Sequence, residues 1–160
     1  MVFEKEDVDL CSIASRAVTT FKNLAEMKGV SLELETPELY GENTMLHASS
    51  KLLRCIAENL IDNALQFTES GGSINVFVGV DNDLRPTLRV KDSGVGIPPE
   101  EQDKIFQRFY RVDKSGSSTT GGTGLGLTIV KKAAWRLGAE IVLNSKPGEG
   151  TEIGVIFRKE

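Results

Sequence analysis

The sequence predicts an α/β fold (α+β in its layering): a two-layer sandwich with a mixed, mostly antiparallel sheet and helices on one face. Three observations point there. Ile74, Val76, Val78 and Val80 alternate with other residues, Asp81-Asn82-Asp83 makes a turn, and Thr87 to Lys91 returns as a second strand. A second hairpin closes the chain, with Glu140 to Asn144 and Thr151 to Phe157 joined by Pro147-Gly148-Glu149-Gly150. Elsewhere, apolar residues recur at helical spacing. Hairpin sheets with separate helices bury one sheet face under those helices.

The elements follow in order. Leu10, Ile13, Ala14, Ala17, Val18, Phe21 and Leu24 predict a first helix over Asp9 to Met27, stopped by Gly29. Val30-Ser31-Leu32-Glu33-Leu34 alternates like a half-buried strand, Pro37 to Asn43 is loop, and Thr44 to His47 reads as a short strand. Ser49 or Ser50 caps a second helix to about Phe67, with Leu52, Leu53, Ile56, Leu60, Ala64 and Leu65 as its buried stripe. Gly71-Gly72 breaks the chain before the first hairpin. Pro98-Pro99-Glu100-Glu101 starts a helix expected to carry Ile105, Phe106 and Phe109, with proline in the first turn and acids near the positive dipole end. Lys114 to Gly122 is polar and reads as a mobile loop; a last helix is predicted from about Gly124 to Leu137.

The 160 residues suit one compact domain, with no internal repeat. The net charge of −4 and the lack of any Lys/Arg-rich run argue against nucleic acid as a partner. No apolar run approaches the ~20 residues of a membrane-spanning helix, so no membrane contact is expected. The acidic start Met1-Val2-Phe3-Glu4-Lys5-Glu6-Asp7 lacks a secretory signal. Cys11 and Cys55 lie apart from each other and from His47, in apolar helical patterns; buried free thiols are expected rather than a zinc site or a disulfide.

Four elements could carry chemistry. Asn59 and Asn63 share one helix face, followed a turn later by Gln66 and Phe67. A carboxamide oxygen can ligate Mg2+; alternatively both amides cap backbone or face water. Asp92-Ser93-Gly94-Val95-Gly96-Ile97 follows a strand. The carboxylate can accept from an exocyclic amine and the glycines let backbone approach a flat ring, although an ordinary turn has the same look. Phe106-Gln107-Arg108-Phe109-Tyr110-Arg111 offers core aromatics and two arginines, one of which could clamp a terminal phosphate. Gly121-Gly122-Thr123-Gly124-Leu125-Gly126-Leu127 opens a helix with unobstructed N–H groups, which suits a polyphosphate. It is neither a Walker A loop nor the Rossmann glycine pattern.

In this order the elements resemble the boxes of two-component sensor histidine kinases: Asn59 to Thr68 the N box, Asp92-x-Gly94-x-Gly96 the G1 box, Phe106-x-Arg108-Phe109 the F box and Gly122 to Leu127 the G2 box. Gly148-x-Gly150-Thr151 resembles their final glycine turn. The resemblance covers nearly the whole chain. It implies the Bergerat fold of the GHKL superfamily, shared with gyrase, mismatch-repair ATPases and a heat-shock chaperone. It implies Mg2+ on Asn63, the adenine amine on Asp92, Phe67 near the base, and nucleotide contacts from Asn59, Gly94, Gly96, Ile97, Ile105, Gly122, Thr123, Gly124, Leu125, Gly126 and Leu127. The lid is expected at about Lys114 to Gly121, and Arg111 at the γ-phosphate.

Relatives that hydrolyse ATP usually carry Glu where Asn59 stands. An amide is a poor general base, so the resemblance implies transfer of the γ-phosphate to a supplied nucleophile, with Arg111 and Asn59 as the candidate catalytic positions. That nucleophile is expected on a separate histidine-bearing dimerisation domain of the same parent protein. A response-regulator receiver domain would follow downstream. Residues 1–160 then form a single cytoplasmic domain, the parent being membrane-anchored or not, and residues 1–8 are a linker remnant. Three departures stand out: Gln66 occupies a position that is usually basic, His47-Ala48-Ser49 replaces a common Gly-Asp-Pro, and the expected lid residues Ser115 to Thr120 carry no charge. They keep an alternative open, a degenerate pseudokinase module acting through protein contacts.

Overall fold

The computed structural model describes residues 3–36, 43–106 and 126–158. Along the chain these form β1 (Glu6–Asp9), α1 (Leu10–Lys28), β2 (Ser31–Glu35), β3 (Met45–Ala48), α2 (Ser50–Phe67), β4 (Ser73–Val80), β5 (Pro86–Asp92), α3 (Pro99–Gln102), α4 (Gly126–Leu137), β6 (Glu140–Lys146) and β7 (Gly150–Ile156). The two long helices start where a side chain meets an orphan N–H of the first turn. Asp9 Oδ1 accepts from Cys11 N at 3.0 Å and opens α1. Ser49 Oγ accepts from Leu52 N at 3.2 Å and opens α2. α1 ends at Gly29, whose φ of 79° is left-handed and lets Gly29 and Val30 N–H groups return to Glu26 and Ala25 carbonyls.

The main sheet runs β2-β4-β5-β7-β6. Its neighbours are antiparallel except β2 and β4, which pair in parallel because the intervening chain is long enough to cross over through β3 and α2. Val76 faces Val90, Val78 faces Leu88, Val90 faces Ile153 and Leu88 faces Val155, and all of these are buried. α1 lies over β2 and β4, α2 over the central strands β4 and β5, and α4 over β6, so α2 is flanked by the other two helices. Leu53, Ile56, Leu60 and Ile61 of α2 are at most 1% exposed. Each such side chain contributes about 1.5–3 kcal/mol by leaving water, so α2 is the best-anchored helix of the layer.

Three expectations change. The helix predicted from Pro98 is a single turn, α3. The i to i−3 bonds Glu101 N to Pro98 O and Lys104 N to Glu101 O tighten the chain into turns, so Ile105 is buried and Phe106 half-buried outside a helix. Phe109 lies outside the described residues. The acidic stretch Glu6–Asp9 is a strand, paired antiparallel with Met45–Ala48 so that Val8 faces Leu46; residues 6–8 of the expected linker remnant thus enter a two-stranded ribbon. Cys11 and Cys55 are half-buried rather than buried. Among the described residues no helix is long and apolar enough to cross a membrane.

Candidate functional site

Strand β5 ends on Asp92, which pairs with Ile74 of β4 and Thr151 of β7 and is only 5% exposed. Gly94 N donates to Asp92 Oδ1 at 2.8 Å and the backbone N–H of Thr151 is a second donor. Burial pushes this carboxyl above the usual carboxylate range; the two backbone donors oppose that shift without cancelling it. A carboxylate offers about four lone-pair sites, so two donors leave it able to accept from a group outside the chain.

The loop after Asp92 is fitted to its neighbours by glycines. A Cβ on Gly94 would stand 2.2 Å from Phe67 O, so the loop rests on the last turn of α2. Gly96, at φ 76°, would place a Cβ 2.1 Å from Lys146 O, and Gly150, at φ 87°, would place one 2.0 Å from Asp92 O. Gly148 N donates to Val95 O at 2.7 Å. The β6–β7 turn is therefore pressed against the Asp92 loop, which explains why the glycines of both segments belong to one site.

Sequence reasoning missed two side chains that hold this arrangement. Ser145 Oγ accepts from Ile97 N at 2.7 Å, donates to Gly150 O at 3.0 Å and lies 2.8 Å from Thr151 Oγ1. Gln102 Nε2 donates to Ile97 O at 2.9 Å and to Ser145 O at 3.0 Å. No local pattern marks either residue, because their partners lie on distant strands and turns.

On α2, Asn59 Nδ2 donates to Cys55 O at 2.7 Å, the local capping that the sequence left open. Its Oδ1 faces the start of α4, where a Cβ on Gly126 would come within 3.5 Å of it. Asn63 lies one turn further along and is half-buried; among the described residues no hydrogen bond engages its carboxamide. Gln66 Nε2 donates to Asp62 Oδ2 at 3.0 Å. Burial still holds the Asp62 carboxyl above its usual range, with the Gln66 bond opposing.

Ile97, Ile105 and Leu127 are buried members of the core, and Phe67 is half-buried. Thr128 Oγ1, in the first turn of α4, donates to Phe106 O at 3.0 Å and ties the two chain segments together. Arg111, Gly122, Thr123, Gly124 and Leu125 lie outside the described residues. Among the described residues no three or more His, Cys, Asp or Glu side chains gather to hold a metal.

Residues 48–160 match the family of histidine kinase-, DNA gyrase B-, and HSP90-like ATPases. The chain is 35% identical over 158 residues to the sensor histidine kinase YkoH of Bacillus subtilis, covering 96% of this chain and 33% of that protein. It is 34% identical over 151 residues to the sensor histidine kinase RppB of Synechocystis, covering 91% of this chain and 32% of that protein. It thus spans about a third of the length of these curated relatives. Among solved structures, the mycobacterial sensor histidine kinase MprB superposes with a TM-score of 0.77 at 24% identity, covering 96% of each chain. Full-length ShkA in complex with AMPPNP superposes with a TM-score of 0.81 at 25% identity, over 98% of this chain and 31% of that one.

Proposed function

The chain belongs to the family of histidine kinase-, DNA gyrase B- and HSP90-like ATPases, and from that premise we propose that it is the ATP-binding catalytic domain of a sensor histidine kinase. The observation that carries this reading is the bracketing of α2. The Asp92 loop touches it at Phe67, through Gly94, and α4 meets it at Asn59, through Gly126. Eight residues of helix, about 12 Å at 1.5 Å per residue, separate those contacts, a span suited to a base at one end and a polyphosphate at the other.

In this reading the Asp92 carboxylate accepts from the adenine amine, and Gly94 and Gly96 bring backbone close to the ring. Phe67, Ile97 and Ile105 bound the base, with Leu127 beneath the phosphate end. Asn63 fits a magnesium ion, since its amide is a hard oxygen donor with no hydrogen bond from the described chain. When bound, Mg2+ neutralises phosphate charge. The N–H groups of Gly122, Thr123, Gly124, Leu125 and Gly126 serve the phosphates, and Arg111 the terminal one. A histidine imidazole on the parent's dimerisation domain takes the γ-phosphoryl as ADP leaves, and a response-regulator receiver receives it next. Asn59 provides no base for water, so hydrolysis stays slow. The domain, read as residues 1–160 with a linker remnant in its first eight residues, would work in the cytoplasm.

The test is titration of a fluorescent ATP analogue with and without Mg2+. Binding that Asp92→Ala abolishes supports the reading, and a folded chain that binds no nucleotide refutes it. Adding ATP together with the parent's histidine-bearing helices should then yield acid-labile phosphate on histidine.

A further inference from the structure

We propose that Ser145, backed by Gln102, is a positioning residue that shapes the adenine-recognising loop and sets its preference for adenine over guanine; this rests on the nucleotide reading above. The hydroxyl has one proton and two lone pairs. Its proton goes to Gly150 O, and it accepts from Ile97 N and from the Thr151 hydroxyl, so every site is used. Those partners hold both ends of the loop. Ile97 closes the segment that begins at Asp92, and Thr151 is the β7 residue paired directly with Asp92 across the sheet. Gln102 binds the same two places a second time, at Ile97 O and Ser145 O. Removing the hydroxyl leaves the Ile97 N–H without its acceptor and frees the Thr151 side chain beside Asp92, which loosens the loop that carries the carboxylate facing the base. Ser145 touches no ligand in this scheme; it acts through Asp92 and Ile97.

The experiment compares the wild-type chain with Ser145→Ala, Ser145→Thr and Gln102→Leu, measuring affinities for ATP, ADP, adenosine and GTP by competition against a fluorescent ATP analogue. Because the effect lies at the base, Ser145→Ala should weaken ATP, ADP and adenosine alike, by about tenfold, since all three hydrogen bonds of the hydroxyl are lost. The preference for ATP over GTP should narrow, which a general loss of folded protein would not cause. Ser145→Thr, which keeps the hydroxyl, should recover most of the affinity. Gln102→Leu sits on a different element and should move the same ratio in the same direction, so the proposal stays testable if Ser145→Ala folds poorly. Unchanged affinities and an unchanged ATP/GTP ratio in folded variants overturn it, as does a loss confined to ATP with ADP untouched. A wild-type chain that binds none of the four overturns the nucleotide reading and this inference together.

Discussion

A Cβ added to Gly126 would come to rest 3.5 Å from Asn59 Oδ1. The first residue of α4 thus lies against the middle of α2, while Gly94 lies against its end at Phe67. Asn63 and Gln66 fall between these two contacts, and Asn59 forms one of them, on a helix whose opposite side is locked into the core. A rigid, buried helix with one polar stripe is a good platform for a ligand, because its side chains are held without a flexible loop.

The Gly126 contact is ordinary van der Waals distance, so an added methyl is tolerated. Alanine also favours helix over glycine by about 0.5–1 kcal/mol. Gly126→Ala should therefore leave urea stability equal or slightly higher. The same methyl narrows the phosphate end, so ATP affinity should fall by about fivefold, on the order of 1 kcal/mol, with adenosine affinity unchanged. Paired denaturation and titration curves measure both arms; equal losses for ATP and adenosine would contradict this placement.

Asp92 makes an opposite trade. Its carboxyl is raised in the folded chain, so the stability linked to it is fully present below the usual Asp value and is lost as pH rises through the raised one. An asparagine side chain at this position keeps an oxygen for the Gly94 N–H and carries no charge to desolvate. Asp92→Asn should accordingly melt no lower than wild type at neutral pH, with the difference growing from acid pH upward. It should bind ATP poorly, because the amide is less able to accept from the adenine amine. Thermal melts across that pH range decide the first half, and a melting difference independent of pH would count against a desolvated carboxylate.

How much of this was visible beforehand follows from the range of each interaction. α1, α2 and both hairpins were legible because their signals, apolar periodicity, caps and turn residues, are local. Asp92 and the glycines were legible as a motif, but the reason for Gly94 is the carbonyl of Phe67, a partner far away in sequence. β1 was hidden because its stretch Glu6–Asp9 has one apolar residue, Val8, and gains its strand character from pairing with β3. The parallel pairing of β2 with β4 and the roles of Ser145 and Gln102 were hidden for the same reason: no periodicity names a partner strand.

Gly94→Ala would force a Cβ to 2.2 Å from Phe67 O, a backbone atom with no rotamer to move aside. The loop or the last turn of α2 must shift, at a cost of about 1–3 kcal/mol. Chemical denaturation should show that loss even without nucleotide, which separates it from an effect on binding alone. A Gly94→Ala chain as stable as wild type would mean that this close approach is relieved at little cost.

Gln66 is the position where the resemblance leads one to expect a basic residue, and its side chain is engaged with Asp62 instead. Gln66→Lys adds a cation whose long side chain reaches back from the base end of α2 toward the proposed phosphates; it should tighten ATP more than ADP, by a few-fold, on the order of 0.5–1 kcal/mol for a partly exposed charge. The neighbouring carboxylate competes for that cation, since a lysine four residues after Asp62 forms a helical ion pair. The gain should therefore be larger when Gln66→Lys is combined with Asp62→Asn, which frees the ammonium from its neighbour. Both gains should shrink as salt is raised, because screening acts on exposed charges first. Titrations of ATP and ADP against the two variants at two ionic strengths separate the outcomes. Equal effects on ATP and ADP would place residue 66 away from the terminal phosphate, and a smaller gain in the Asp62→Asn background would show that Asp62 orients the lysine rather than capturing it.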